Sequence, residues 1–356
     1  MTGIYIHVPF CAKKCPYCAF FSEQYGRELV DNYVKAVIRN LQAYQIHDTV
    51  DTIYFGGGTP SLLTAGQISD ILEACATYLH LHEPEITLEF NPTGKRDTYL
   101  HDIHSAGVNR LSIGTQSFSD GQLQLLERTH SANDGIRTVE TAFEMGFTNI
   151  SCDLMLALPE QSELILNETL TTLVKLPITH VSAYLLQVEE GTPFSQDADL
   201  LSRCPNDDES ADRYLQAVYF LEDAGIHQYE VSSFAKKGFA SRHNLKYWKC
   251  EDYLGIGAGA HSCYQGKRFY VPEEIGKFCR EERQTETILS GTVYDREERI
   301  MLGLRTVDGI PAEWVQAHKI PILQKAGYVK LLKNGNLSLT PEGFAVSNSV
   351  ISMLIC

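Results

Sequence analysis

The sequence predicts an α/β protein: a partial barrel of six β-then-α units, followed by a small C-terminal winged-helix-like α+β domain. Three observations carry this reading. Short apolar stretches alternate with longer amphipathic ones from the N-terminus to about residue 188. Cysteines, glycines and isolated polar residues gather just after the apolar stretches, where the loops of a parallel sheet converge on one mouth. From about residue 290 the texture changes to short helical segments, a tight Asn-Gly turn and a short strand. Six units make a partial barrel rather than the full eight. A doubly wound open sheet would have the same spacing, and spacing alone leaves it open.

Each element follows in order. "GIYIHV" (3–8) is an apolar strand, and 28–44 carries apolar residues at helical spacing. "VDTIYFGG" (50–57) is a strand ending in glycines, and 65–79 is a helix. Four more strands are expected at 85–92, 108–118, 149–159 and 180–188, with helices between them at 134–146 and 163–176. The expected division is a core over 1–265, a linker over 266–289 and the C-terminal domain over 290–356. Winged-helix domains often bind DNA, but few basic residues fall on the candidate recognition segment, so a structural or lid role is expected here.

Composition narrows the function classes. Hydrophobic residues make up 44% and charged residues 21% of the 356, as in a globular protein. No apolar run reaches the roughly 18–20 residues that cross a bilayer. "MTGIYIHVPF" lacks the layout of an export signal, so a cytoplasmic chain is expected. The net charge of -15, without a basic block, argues against nucleic acid as a partner. In such a chain ten cysteines point to metal or redox chemistry where they cluster. Cys75, Cys152, Cys204, Cys250, Cys263, Cys279 and Cys356 are scattered without ligand spacing and are expected to be core or incidental residues.

The cluster is Cys11, Cys15 and Cys18, spaced C-x3-C-x2-C in "HVPFCAKKCPYCAFF". A structural zinc site wants four closed ligands, and an ordinary iron–sulfur carrier fills every iron. Three cysteines leave one iron of a [4Fe-4S] cluster open to a small molecule with nitrogen and oxygen donors. The glycines of "GGGTP" (56–60) suit close backbone approach to such a molecule.

That spacing followed by GGGTP resembles the radical S-adenosylmethionine superfamily. The resemblance implies that the open iron binds the amino and carboxylate groups of S-adenosylmethionine, whose cleavage releases a 5′-deoxyadenosyl radical. "IYFGGGTPSLL", "LEFNP", "RLSIGTQSF", "LERTHSA", "DLMLALPEQS" and "YLGIGAGAHS" extend the likeness over nearly the whole chain. They resemble the oxygen-independent coproporphyrinogen III dehydrogenase family and its relatives. Tyr5, Gly57 and Glu89 match positions that contact a first S-adenosylmethionine. Gly58, Thr59, Gln116, Arg128 and Asp153 match contacts to a second. By that likeness Arg128 pairs with a carboxylate and Asp153 with cationic groups, so one or two S-adenosylmethionine molecules are expected.

Three departures point away from the dehydrogenase itself. Its motif carries a further cysteine where this chain has Phe20, and it has an extension ahead of the first strand, which here begins within three residues of Met1. "HNLKYW" (243–248) matches the HNxxYW motif of the family's heme-chaperone branch. A neutral imidazole is a good iron ligand, and Tyr247 and Trp248 offer aromatic faces. His243 is therefore the expected heme ligand, His261 a second candidate, and Arg242 and Lys246 are suited to face propionates.

The likeness implies a chaperone that holds heme and passes it to an apo-hemoprotein, with the cluster serving dimerisation or delivery and no catalytic residue assigned. An electron donor such as flavodoxin or ferredoxin, a monomer or homodimer, and membrane contact only through a recipient protein go with it. Coproporphyrinogen III oxidative decarboxylation and radical-dependent heme modification are the alternatives.

Overall fold

The computed structural model describes residues 1–93 and 97–355. Six β-then-α units open the chain. They are β1 (Thr2–Val8), α1 (Arg27–Tyr44), β2 (Thr49–Gly57), α2 (Ala65–Tyr78), β3 (His80–Phe90) and α3 (Asp97–Ser105). Next come β4 (Arg110–Gln116), α4 (Ala132–Glu144), β5 (Ile150–Leu156), α5 (Glu163–Leu173), β6 (His180–Leu185) and α6 (Asp207–Asp223). Strands β1 to β6 are parallel and pair in sequence order. A doubly wound sheet would reverse its order at a switch point, so the sequential order settles the architecture as a partial barrel.

Local chemistry explains these units. Strands β1 and β5 are buried on both faces, which is why they read as near-continuous apolar runs. Reciprocal capping boxes start α2 (Thr64 and Gln67), α4 (Ser131 and Asp134) and α6 (Asn206 and Glu209). Helix α1 turns Val30, Tyr33, Val34, Val37 and Leu41 inward, and the Tyr33 hydroxyl donates to the His7 carbonyl at 2.8 Å.

The sheet is wider than the sequence predicts. After β7 (His227–Glu230), β8 (Ser233–Ala235) and α7 (Arg242–Trp248), strand β9 (Tyr253–Ile256) pairs with β1 as a seventh parallel strand. Antiparallel β10 (His261–Tyr264), β11 (Lys267–Tyr270) and β12 (Thr287–Ser290) continue that edge. The twelve-stranded order is β12-β11-β10-β9-β1-β2-β3-β4-β5-β6-β8-β7. Residues 266–289, expected as a linker, thus supply strands to the large sheet and the helix Ile275–Arg280. Strand β9 is only four residues long, and its burial comes from lying between β1 and β10, which no periodicity reveals.

The C-terminal residues form a three-stranded sheet, with Asn336–Leu339 between Ile310–Pro311 and Val329–Leu331. Helices Arg296–Gly303, Ile320–Lys325, Pro341–Ala345 and Ser347–Ile355 accompany it. Arg305 lies over the Trp248 ring at 6.0 Å, and Tyr219 of α6 donates to Glu342, which ties this unit to the barrel. No helix among the described residues is long and apolar enough to cross a membrane.

Candidate functional site

The mouth of the barrel holds the three cysteines. Beyond β1, residues Phe10 and Cys11 pair with Glu23 and Gln24, so the loop carrying Cys15 and Cys18 is closed at its base. The Gly58 amide donates to the Val8 carbonyl at 2.9 Å and the Thr59 amide to the Phe10 carbonyl at 2.8 Å. These two bonds clip the GGGTP turn onto the cysteine loop. Arg128 reaches across, with Nη1 3.3 Å from the Cys15 sulfur and Nη2 bonded to Asn91 Oδ1 at 2.8 Å and the Gly114 carbonyl at 3.2 Å. The Thr59 hydroxyl lies 3.6 Å from the Cys11 sulfur.

All three cysteines line one cavity of about 420 Å³, together with Gly57, Gly58, Thr59, Glu89, Gln116, Arg128 and Asp153. Ten of the eleven residues expected at the cluster or S-adenosylmethionine thus meet in one chamber, Tyr5 being the exception. The seven that the family likeness divides between two molecules are not separated into two sites. Among the described residues, no three His, Cys, Asp or Glu converge closely enough to hold a single ion. Three half-buried thiols around one chamber, with a guanidinium beside the middle one, fit a soft multi-iron group held at three corners. They do not fit a closed tetrahedral zinc site.

The floor of this cavity is acidic. Glu89 accepts from the Tyr54 hydroxyl at 3.0 Å, and Asp153 accepts from the Ser112 hydroxyl at 3.0 Å. Burial and then the neighbouring Asp153 charge push the Glu89 carboxyl up from 4.5 to about 8, against the pull of the Tyr54 hydroxyl and the Gly57 amide. Burial likewise raises Asp153. A carboxyl raised on folding contributes stability that is full below its unfolded value and lost as pH climbs through its folded value. The window for Glu89 therefore runs from about 4.5 to about 8. Melting curves of the ligand-free protein are expected to fall behind those of Glu89→Gln by a few degrees across that window. A constant gap between the two would contradict the assignment.

Gln116 is aimed by its backbone. The β4–β5 register breaks between Ile113 and Gln116, and Gln116 adopts φ 61°, a left-handed value that costs a non-glycine residue energy. The same bend ends β4 at Gln116, short of the predicted 118. Strand β5 stops at Leu156 because Ala157 is also left-handed, at φ 56°.

A second cavity, of about 480 Å³, adjoins the first and shares Phe20, Tyr54, Glu89 and Tyr184 with it. Its other walls include Tyr5, Tyr247, Trp248, Tyr253 and His261. Tyr5, expected beside S-adenosylmethionine, therefore lines this second chamber, at 6.1 Å from the Tyr54 ring and stacked on it.

His243, expected as the heme ligand, lies behind the cavity walls. Its side chain is 0% exposed and lines neither cavity. Nδ1 lies 2.8 Å from the Thr52 hydroxyl and Nε2 2.9 Å from the Tyr247 hydroxyl, so both ring nitrogens are engaged. Burial, reinforced by the Lys246 charge, lowers it to about 3, so it is a neutral structural imidazole. Its basic neighbours, read as suited to propionates, have protein partners. Lys246 is buried against Asp51 at 2.8 Å and Glu251 at 3.1 Å, and Arg242 bonds the Glu83 carbonyl at 2.9 Å and Asp51 at 3.3 Å.

Sequence reasoning passed over Tyr17, Tyr54, Asn91, Ser112 and Tyr184, all of which line the first cavity. Tyr17, Tyr54, Asn91 and Ser112 sit inside the quoted motifs; Tyr184 carried no signal beyond its place near a strand end. Of the scattered cysteines, Cys75, Cys152 and Cys263 are buried, Cys204, Cys250 and Cys279 are half-buried, and Cys356 lies outside the described residues.

Comparison with known proteins identifies the family. The Radical SAM superfamily matches residues 5–173. The chain is 36% identical over 397 residues to the bovine (Bos taurus) radical S-adenosyl methionine domain-containing protein 1, mitochondrial, covering 99% of this chain and 87% of that protein. It is 34% identical to the heme chaperone HemW of Lactococcus lactis, covering 99% of this chain and 97% of that one. The HemW of Escherichia coli is 41% identical over 268 residues, covering 73% and 69%. In structure, the coproporphyrinogen III oxidase HemN of Escherichia coli superposes with a TM-score of 0.81 at 20% identity, over 99% of this chain and 89% of that one. Superfamily membership implies a [4Fe-4S] cluster and S-adenosylmethionine. With identities above 30% over nearly whole chains, this protein belongs to the radical S-adenosylmethionine superfamily and, within it, to the HemW family of heme chaperones.

Proposed function

We propose that this chain binds heme in its second cavity and hands it to an apo-hemoprotein. The observation that carries the proposal is the aromatic chamber of about 480 Å³ set wall to wall with the cysteine-lined one. Its volume falls within the range of small-molecule sites, and Tyr5, Tyr54, Tyr247, Trp248 and Tyr253 supply flat faces with polar tips, which suit a planar apolar ring. Among the described residues, neither Lys nor Arg lines it, so the propionates point out through its mouth.

Cys11, Cys15 and Cys18 would hold the cluster at three corners, and the Arg128 guanidinium braces the Cys15 sulfur at 3.3 Å. The cluster with S-adenosylmethionine supplies one-electron chemistry when bound, from a donor of the flavodoxin or ferredoxin type. The backbone of Gly57, Gly58 and Thr59 faces the methionine moiety. Glu89, Asp153 and Gln116 accept from its ammonium, ribose or base donors. Arg128 is already committed to Cys15, Asn91 and Gly114, so it positions the cluster loop rather than clamping a second carboxylate.

Phe20, 69% exposed and shared by the two chambers, stands between cluster and heme. The shared wall also favours a second reading, in which chemistry begun in the first chamber modifies the ligand of the second.

Anaerobic heme titration of the cluster-reconstituted protein, followed by visible absorption, tests the first reading. Saturation near one heme per chain, with the heme recovered at unchanged mass, is expected. Absence of specific uptake contradicts heme binding, and altered mass favours the second reading.

A further inference from the structure

We propose that His261 is the protein's ligand to the heme iron and that His243 is a positioning residue for Tyr247. The inference rests on the heme reading above and concerns which imidazole serves that site.

Three histidines stand near the aromatic cavity, and they differ in what their nitrogens can do. His243 is behind the wall rather than on it, with both nitrogens engaged by Thr52 and Tyr247. Its ring also packs against Tyr54 at 5.1 Å and Tyr5 at 6.3 Å, which close it off from the chamber. His7 lines the chamber, but Nδ1 meets the Tyr5 hydroxyl at 3.1 Å and Nε2 is buried beneath Gly259. A Cβ at Gly259 would lie 3.5 Å from that nitrogen.

His261 is the third. It lines the chamber, its side chain is exposed, and among the described residues its ring makes no hydrogen bond. What fixes it is packing. The ring stacks on Tyr270 at 5.5 Å and 21°, in the antiparallel β10–β11 pair. Its backbone is pressed against Gly255, where any side chain would meet the His261 carbonyl at 2.3 Å. An imidazole that is oriented, unpartnered and open to an aromatic chamber is what iron ligation requires. The HNxxYW stretch then acts through Tyr247 and Trp248 as wall, with His243 Nε2 holding the Tyr247 hydroxyl at 2.9 Å.

The test uses the full-length, cluster-reconstituted chain titrated anaerobically with ferric heme, read by visible absorption and by electron paramagnetic resonance of the ferric iron. Circular dichroism and iron content confirm that each variant is folded. Wild-type uptake comes first, because its absence overturns the heme reading itself and this inference with it. Given uptake, His261→Ala is expected to lose the imidazole signature and to weaken binding more than about tenfold, with added imidazole restoring the signature. His243→Ala is expected to keep the wild-type signature while weakening binding, and to be non-additive with Tyr247→Phe. A folded His261→Ala with a wild-type signature overturns the assignment. So does loss of the signature in His243→Ala or His7→Ala with rescue by imidazole.

Discussion

Replacing Cys15 by serine is expected to remove the cluster almost completely while leaving the fold in place. Each of the three thiols is half-buried at the mouth rather than in the core, so none carries much packing energy. As ligands they are not interchangeable with serine, whose hydroxyl stays protonated near neutral pH and is a hard donor for a soft multi-iron group. Cys15 is the most exacting of the three, because the Arg128 guanidinium sits 3.3 Å from its sulfur and fixes where that sulfur points. Iron and sulfide per chain after anaerobic reconstitution should fall to about a tenth of the wild-type value or less. Cys204→Ser, at a half-buried thiol that donates to the Leu200 carbonyl at 3.5 Å, should bind iron normally. Wild-type iron in Cys15→Ser would remove the cysteine triad from the account.

Gly58→Ala is expected to be nearly as damaging through backbone contact alone. A Cβ at Gly58 would lie 2.7 Å from the Phe10 carbonyl oxygen, 2.8 Å from the Phe10 nitrogen and 2.9 Å from the Val8 carbonyl oxygen. These are backbone atoms of the segment that ends in Cys11, and no side chain there can swing aside. Relief requires the GGGTP turn to leave the cysteine loop, which breaks the two amide-to-carbonyl hydrogen bonds that join them. Overpacking of this kind costs about 1–3 kcal/mol, with the lost hydrogen bonds added to it. The expected result is a lowered melting temperature and a cluster that is lost on desalting. At Gly66, by contrast, an added Cβ would be 3.9 Å from the Thr64 hydroxyl, so Gly66→Ala should be neutral or slightly stabilising. Equal behaviour of the two variants would show that the close approach at Gly58 has no consequence.

The barrel was legible because its signals are local. A parallel strand buried on both faces writes an apolar run, as in β1 and β5. The cysteine spacing and the glycines were equally plain, since their chemistry depends on residue type at fixed intervals. What escaped depends on assembly. Strand β9 and the strands after it are short, and only their place beside β1 makes them part of the sheet. The same holds for His243, whose motif names a good iron ligand but not its direction. Thr52 from β2 and Tyr247 from one turn along α7 take both of its nitrogens, and Thr52 lies 191 residues away in the chain. Tyr5 was likewise placed by likeness in one chamber and by the fold in its neighbour.

The central claim is that one barrel mouth carries two adjacent chambers, divided by Phe20, Tyr54, Glu89 and Tyr184. The measurement that tests it most directly repeats the heme titration on protein already carrying its cluster and labelled S-adenosylmethionine, with equilibrium dialysis to count both ligands. Separate chambers predict that heme saturates near one per chain while the label stays bound. Stoichiometric release of the label as heme enters would mean a single shared chamber, and would contradict the account.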